Sequence, residues 1–331
     1  MISVNKIIFH FVFLFFSCQQ NFKKYSLSGY TQGTTYSIKY HHTSNSIDKN
    51  SIDSLLNIID QSMSLYIENS TISAINNGLD VNLDSLISIV IKKSIEICNQ
   101  TNGMFDITIS PLVNYWGFGP NKNRPSFLSN LENSEYEVGC NKISVNDNKL
   151  IKGKSVSIDL NGIAQGFSVD YLANYLYSQG VVDFMIEIGG EIRCSGDNMD
   201  SGWKIGVDSP TDKKRSFSHV LKLQNISLAT SGSYRNYYYV DSVKINHTIN
   251  PKTLRPTFNS LLSATILYPD CMSADAYATA CMSLGFHEAK EFLNKNNITG
   301  SLTYIESGDT ITYFSSGFSE FLHTSPGSAP Q

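Results

Sequence analysis

The chain has 331 residues, 41% hydrophobic and 16% charged, with a net charge of −4 and an isoelectric point near 6.0. That composition supplies core for one large globular domain or two modest ones. It gives no electrostatic reason to expect nucleic acid as a partner: the longest basic run, Lys213-Lys214-Arg215, reads as a solvated loop.

At the N-terminus, Lys6 precedes the apolar run IIFHFVFLFF, which ends at Ser17-Cys18. The run is too short to cross a bilayer, which takes roughly 20 residues. A basic start, a short apolar stretch and a small residue before a Cys predict an export signal over 1–18, with lipidation of Cys18. A plain cleaved signal with an incidental Cys is the alternative. Residues 19–28 (QQNFKKYSLS) then read as a polar tether.

The segment 30–40 (YTQGTTYSIKY) alternates and predicts a single opening strand. Ile52, Leu55, Leu56, Ile59 and Met63 recur at helical spacing over 51–66, and 84–103 predicts a second helix that starts near Asp84 and stops at Asn102-Gly103. In MFDITISPLVNYWGFGP (104–120), Asp106 precedes a Pro-interrupted strand, and 121–150 reads as a polar, loop-rich excursion. SVSIDL (155–160) predicts a strand, and 161–180 a Gly-rich turn entering a helix. The stretch 181–196 predicts two strands about a Gly-Gly kink. Strands dominate from 203 to 268; helices over 273–285 and 286–296 and a closing hairpin follow. Helices with a largely antiparallel sheet give an α+β class. Cys98, Cys140, Cys194, Cys271 and Cys281 form no CxxC pair and are odd in number, which predicts buried thiols and no disulfide framework.

Four clusters carry chemistry. The first is GMFDITISPLVNYWGFGP, where Trp116 and Phe118 read as core and Asp106 as either a structural or a ligand-contacting group. DLNGIAQGFSVD places Gly162 and Gly166 at a helix entrance, where backbone can approach closely and phosphate oxygens are favoured. In the third, ATSGSYR ends a strand in small polar groups, and His247 in HTINPKT follows a strand, where an imidazole can act near neutral pH. The last is SADAYATACMSLG (273–285), an apolar helix whose single charged residue, Asp275, has Thr279 one turn on. A buried carboxylate needs a cation, donors or a shifted pKa. Oxygen ligands suit Mg²⁺. Alternatively, Asp275 caps a neighbouring segment and Thr279 bonds back to the carbonyl of residue 275.

In order and spacing these clusters resemble the ApbE family of FAD:protein FMN transferases, from about Gly29 to Gly285. Further markers are Gly33-Thr34-Thr35-Tyr36, Tyr66 in SLYIENSTIS, and IEIGGEIRCSG. The resemblance implies a T-fold-like α+β domain over 29–316 with a tail at 317–331. It implies transfer of FMN from FAD to a Ser or Thr hydroxyl of a target protein, with release of AMP. It further implies FAD contacts at Gln32, Tyr66, Met104, Phe105, Asp106, Asp159, Gln165 and Ile249, with Mg²⁺ at Gly162, Asp275 and Thr279, and His247 as base. The implied partners are exported flavin-accepting subunits of membrane redox complexes, met from a lipid anchor on the periplasmic face. FAD hydrolysis to FMN and AMP, or FAD binding without turnover, stays open as an alternative. The chain departs from the commoner family pattern at Gln32, Gln165, Asn250, Leu254 and Ala278, where Met, Lys or Glu, Asp, Gly and a second carboxylate are frequent.

Overall fold

A computed structural model describes residues 22–43, 46–120, 136–210, 216–234 and 236–323. The expected signal segment with Cys18, the basic run 213–215 and the last eight residues lie outside the described residues. In chain order the elements are β1 (Lys23–Thr31), β2 (Thr34–His42), α1 (Lys49–Met63), α2 (Thr71–Asn76), α3 (Ser85–Gln100) and α4 (Ser110–Tyr115). Then come β3 (Ile143–Asn146), β4 (Lys149–Lys152), α5 (Ala164–Ser178), β5 (Asp183–Ile188), β6 (Glu191–Ser195), β7 (Trp203–Asp208), β8 (Phe217–Leu223) and β9 (Ile226–Gly232). The last are β10 (Tyr237–Val240), β11 (Val243–Asn246), β12 (Ile249–Asn250), β13 (Arg255–Pro256), β14 (Leu261–Tyr268), α6 (Cys271–Leu284), α7 (Phe286–Lys295), β15 (Thr299–Glu306) and β16 (Asp309–Phe314).

The central sheet has eight strands in the order β1-β2-β5-β6-β9-β14-β15-β16, with every neighbouring pair antiparallel. Alternation assigns its two faces. On β5, Phe184, Ile186 and Ile188 pack with Val169, Leu172 and Leu176 of α5. Met185 points the other way, into a cluster with Trp203, Leu221 and Phe318. Helices therefore cover one face and the β7–β8 hairpin covers the other. Between the sheet and α3 runs α6, tied outward by the Tyr277 hydroxyl donating to Gln100 Oε1 at 2.5 Å. A helix covered on both sides must be small and apolar all round, which accounts for its Ala-rich sequence. A smaller cluster joins Leu112 and Trp116 at α4 to Tyr238, Ile245, Ile249 and Leu254.

Several elements differ from expectation. Segment 30–40 is a hairpin corner: Gln32 and Gly33 both adopt positive φ (50° and 72°) between β1 and β2. Because β1 starts at Lys23, the ordered domain begins before Gly29, and residues 23–28 are strand instead of tether. At the other end Phe318 is fully buried, so the tail contributes to the core before its last residues. Pro111 opens a short helix, α4, where its missing N–H is tolerated, in place of an interrupted strand. Residues 155–160 alternate because Val156, Ile158 and Leu160 are buried, yet the segment makes only an isolated bridge, Ser157 to Ile109. The polar excursion contains the β3–β4 hairpin. Cys98 and Cys140 form a disulfide, contrary to the expectation of free thiols, while Cys194, Cys271 and Cys281 are free and buried.

Candidate functional site

The site is built on the seam between α5 and α6. Gly166, in the first turn of α5, donates its N–H to Asp275 Oδ2 at 3.1 Å. A Cβ there would lie 2.3 Å from the Cys271 carbonyl oxygen and 2.9 Å from Asp275 Cβ, so only glycine lets the helices meet. One turn earlier, a Cβ on Gly162 would lie 3.1 Å from Thr279 Oγ1 and 3.4 Å from the Phe105 ring. The Thr279 hydroxyl is 3.4 Å from Ser231 Oγ on β9, and no bond back to the residue 275 carbonyl forms among the described residues. Asp275 is buried, and loss of water pushes its carboxyl up to about 7 against the single Gly166 N–H. Among the described residues no Lys or Arg pairs with it.

An uncompensated carboxylate, a hydroxyl one turn on and a close backbone segment at Gly162 form an oxygen-only donor set, which fits a hard divalent cation. The cluster of Cys98, Asp106 and Cys140 also brings potential ligand atoms within 4.8 Å of one another. Its two sulfurs are bonded to each other, which removes it as a metal centre.

Around the seam the structure gathers most of the expected ligand-contacting residues. Met104 and Phe105 are buried at the turn that ends α3, with Phe105 against Gly162. Asp159 donates its N–H to the Ile107 carbonyl at 2.7 Å, which ties its turn to the Met104–Asp106 segment. Its carboxylate accepts from Asn161 N–H at 2.8 Å, and burial raises its pKa. Tyr66 is 64% exposed and leaves an aromatic face open, while loss of water at its hydroxyl, with the Asp159 charge, raises its pKa. Gln165 lies against the Gly189 backbone. Gln32 donates from Nε2 to Ser168 Oγ on α5 at 2.7 Å, and its Oε1 is buried without a partner among the described residues. Ile249 is buried, and its carbonyl accepts from Ser283 Oγ at 3.4 Å, one turn beyond Thr279.

Asp106 has a different setting. Its Oδ1 accepts from Thr108 N–H (2.8 Å) and Thr108 Oγ1 (2.7 Å), and its Oδ2 accepts from Cys140 N–H (2.8 Å). The carboxylate therefore braces the loop, beside the disulfide that ties α3 to residue 140. Trp116 is core, donating from Nε1 to the Leu254 carbonyl at 3.1 Å, and Phe118 packs on Tyr238.

His247 stands just beyond β11. Its Nδ1 lies 3.1 Å from the Asn236 carbonyl oxygen. A carbonyl only accepts, so this contact assigns the proton to Nδ1 and leaves Nε2 as the free lone pair. Burial lowers the pKa of the ring, which favours that neutral form, and the Phe118 ring lies edge-on to it at 6.2 Å. Two residues on, the Ile249 carbonyl ties this segment to α6 through Ser283. In the following turn, Asn250 Oδ1 accepts from Lys252 N–H and Thr253 N–H (2.9 and 3.1 Å), so the amide preserves the turn a carboxylate would make. Leu254 sits at φ +60°, a conformation favouring the glycine commoner there, and its burial beside Trp116 holds it.

Sequence reasoning left Ser231 and Asp170 out of the site. Ser231 meets Thr279, and Asp170 lies four residues past Gly166 on the same face of α5. That spacing within DLNGIAQGFSVD was the available signal.

The ApbE family profile matches residues 32–302. An FAD:protein FMN transferase of Vibrio cholerae is 36% identical over 320 residues, covering 92% of this chain and 95% of that protein. One of Haemophilus influenzae is 36% identical over 327 residues, covering 93% and 94%. Among solved structures, the flavin transferase ApbE of Vibrio cholerae superposes with a TM-score of 0.81 at 33% identity, covering 91% of this chain and all of that one. The apo flavinyl transferase ApbE of Pseudomonas stutzeri superposes with a TM-score of 0.82 at 25% identity, covering 92% and 98%. With the seam, its turn and its helices all inside the matched span, this chain belongs to the ApbE family.

Proposed function

We propose that the chain is a Mg²⁺-dependent FAD:protein FMN transferase, exported and held at a membrane surface through a lipid on Cys18. It acts on exported flavin-bearing subunits of membrane redox complexes. The observation that carries the catalytic reading is Asp275: a buried carboxylate without a cationic partner among the described residues, beside Thr279 and Gly162. Curated relatives with this activity, aligned over nearly their whole length, support the substrate assignment. The Cys98–Cys140 disulfide supports export, because such bonds persist chiefly in oxidising compartments.

The reaction joins a Ser or Thr oxygen of the target to the FMN phosphorus and breaks the diphosphate linkage, releasing AMP. Asp275, Thr279 and the Gly162 carbonyl would hold the cation, which neutralises charge on the diphosphate when bound. The chain's other residues orient and move a proton. Tyr66 offers its exposed ring to the flavin, and the buried Met104–Phe105 turn closes the side nearest Gly162. His247 Nε2 takes the proton of the target hydroxyl, while the Nδ1–H bond to Asn236 fixes the ring.

Incubation with FAD, Mg²⁺ and a candidate acceptor, read by intact mass and nucleotide chromatography, tests the proposal. The expected result is one FMN mass on the acceptor and stoichiometric AMP. Free FMN and AMP with an unmodified acceptor would make the protein an FAD hydrolase; bound, unconverted FAD would make it a carrier.

A further inference from the structure

The seam is held in a repeating register. Gly162 faces Thr279 and Gly166 faces Asp275. One turn further along α5, Asp170 faces Cys271, so each step of four forward is matched by four back along α6. The two glycines allow close approach, and the single Gly166 N–H bond to Asp275 is the one directional hold they supply among the described residues. Asp170 is different. It is 8% exposed, and it accepts the N–H of Cys271 on Oδ1 (3.1 Å) and the N–H of Met272 on Oδ2 (2.9 Å).

These are two of the four N–H groups that a helix start leaves without intrahelical partners. A third, from Ser273, goes to the side chain of the N-cap residue Asp270 (2.8 Å), and Ala274 N–H opens the intrahelical ladder at the Asp270 carbonyl (3.2 Å). The first turn of α6 is thus shared between its own cap and a carboxylate of α5. Arg193 on β6 donates from Nη1 to Asp170 Oδ1 at 2.5 Å, which anchors that carboxylate to the sheet.

We infer that Asp170, anchored by Arg193, is a positioning residue for the cation site, fixing the axial register of α6 so that Asp275 and Thr279 meet the turn at Gly162. The inference rests on the flavin transferase reading given above. Sliding α6 by one residue moves it about 1.5 Å and turns the presented face by about 100°, which carries Asp275 away from Gly166. Asp170 touches neither substrate nor reacting atoms; it acts through the start of the helix that carries the ligands.

The test uses the mature full-length protein and Mn²⁺ as the probe, followed by electron paramagnetic resonance in the absence of flavin. Asp170→Asn keeps the side-chain shape but turns one acceptor into a donor facing a backbone N–H. Asp170→Glu keeps both oxygens and the charge, displaced by one methylene. Arg193→Gln removes the anchor.

Each variant is expected to weaken Mn²⁺ binding about 10- to 100-fold. The apparent metal constant for FAD turnover rises in parallel, and the maximal rate at saturating metal stays within about threefold of the parent. Amide exchange over Cys271–Asp275 in the metal-free protein should quicken. Parent-like Mn²⁺ affinity in Asp170→Asn, with an intact near-ultraviolet dichroism spectrum, would overturn the inference. Should that variant fail to fold, parent-like affinity in Asp170→Glu or Arg193→Gln overturns it equally. A parent protein that binds no Mn²⁺ would overturn the functional reading, and this inference with it.

Discussion

Asp106 and Asp275 are both 5% exposed, and both lie in stretches rich in apolar residues. Their surroundings separate them. Three donors satisfy the Asp106 carboxylate, two from Thr108 and one from Cys140. Among the described residues Asp275 receives one hydrogen bond, from Gly166. Burial raises the pKa of both, yet the donors around Asp106 work against that rise, while Asp275 is pushed up to about 7. Burial therefore does not separate the two carboxylates; the deficit of donors does. The Asp106 loop uses its charge to hold backbone, and the α5–α6 seam leaves its carboxylate short of donors.

The largest effect expected from this contrast is on turnover. Asp275→Ala should lower Mg²⁺-dependent FAD turnover by about 10³-fold or more and leave far-ultraviolet dichroism unchanged. Turnover within a few-fold of the parent at saturating Mg²⁺ would erase the distinction between the two carboxylates.

The next expectation concerns pH. Asp275 has a folded-state pKa of about 7, raised from 3.8, so between those values the native state binds more protons than the unfolded chain. Its contribution is fully present below about 4 and lost as pH rises through about 7 in the metal-free protein. Denaturant titrations from pH 4 to 8 should show that slope. Asp275→Asn should flatten it, and Mg²⁺ should restore stability to the parent alone, because it binds only the native site. A slope that survives in Asp275→Asn would assign the penalty to another group.

The disulfide sharpens the other side of the comparison. Cys98 and Cys140 are 42 residues apart, and the bond fixes the residue whose N–H holds Asp106 Oδ2. Replacing both with Ser should lower unfolding free energy by about 3–4 kcal/mol, measured in urea. Mn²⁺ affinity at the seam should change little. A comparable loss of Mn²⁺ affinity would show the two regions to be one cooperative unit.

Most helices were legible because their apolar faces repeat at helical spacing and their caps are explicit. Asp84 caps α3 through Leu86 and Ile87 N–H, as its position suggested. The closing hairpin and the Gly189-Gly190 kink were legible too. The failures have physical causes. Alternation reports burial, so 155–160 looked like a strand although its backbone lacks a ladder. Gln32 gives no warning of a left-handed turn. Cys98 and Cys140 approach through tertiary packing, which no spacing rule encodes. Within the site, Asp275 and Thr279 could be paired from helix geometry alone. Their meeting with Gly162 and Gly166 could not, since it depends on the mutual register of two helices whose facing residues, such as Gly166 and Asp275, are more than a hundred positions apart.

The smallest predicted effect isolates the Asp106 brace from any ligand contact. Thr108 donates from Oγ1 to Asp106 Oδ1 at 2.7 Å and accepts the Gly139 N–H on the same oxygen at 2.7 Å. Thr108→Val keeps the shape and the backbone N–H bond to Asp106, but it leaves the Gly139 N–H unpaired and removes one of the three donors. The expected loss is about 1–3 kcal/mol in unfolding free energy, seen as a lower urea midpoint with an unchanged slope. If Asp106 acts only as a brace, FAD affinity measured by flavin fluorescence should stay within about twofold at a temperature where the variant is fully folded. If Asp106 also contacts the dinucleotide, loosening its carboxylate should weaken FAD binding well beyond that, and its rank beside Asp275 would have to be raised.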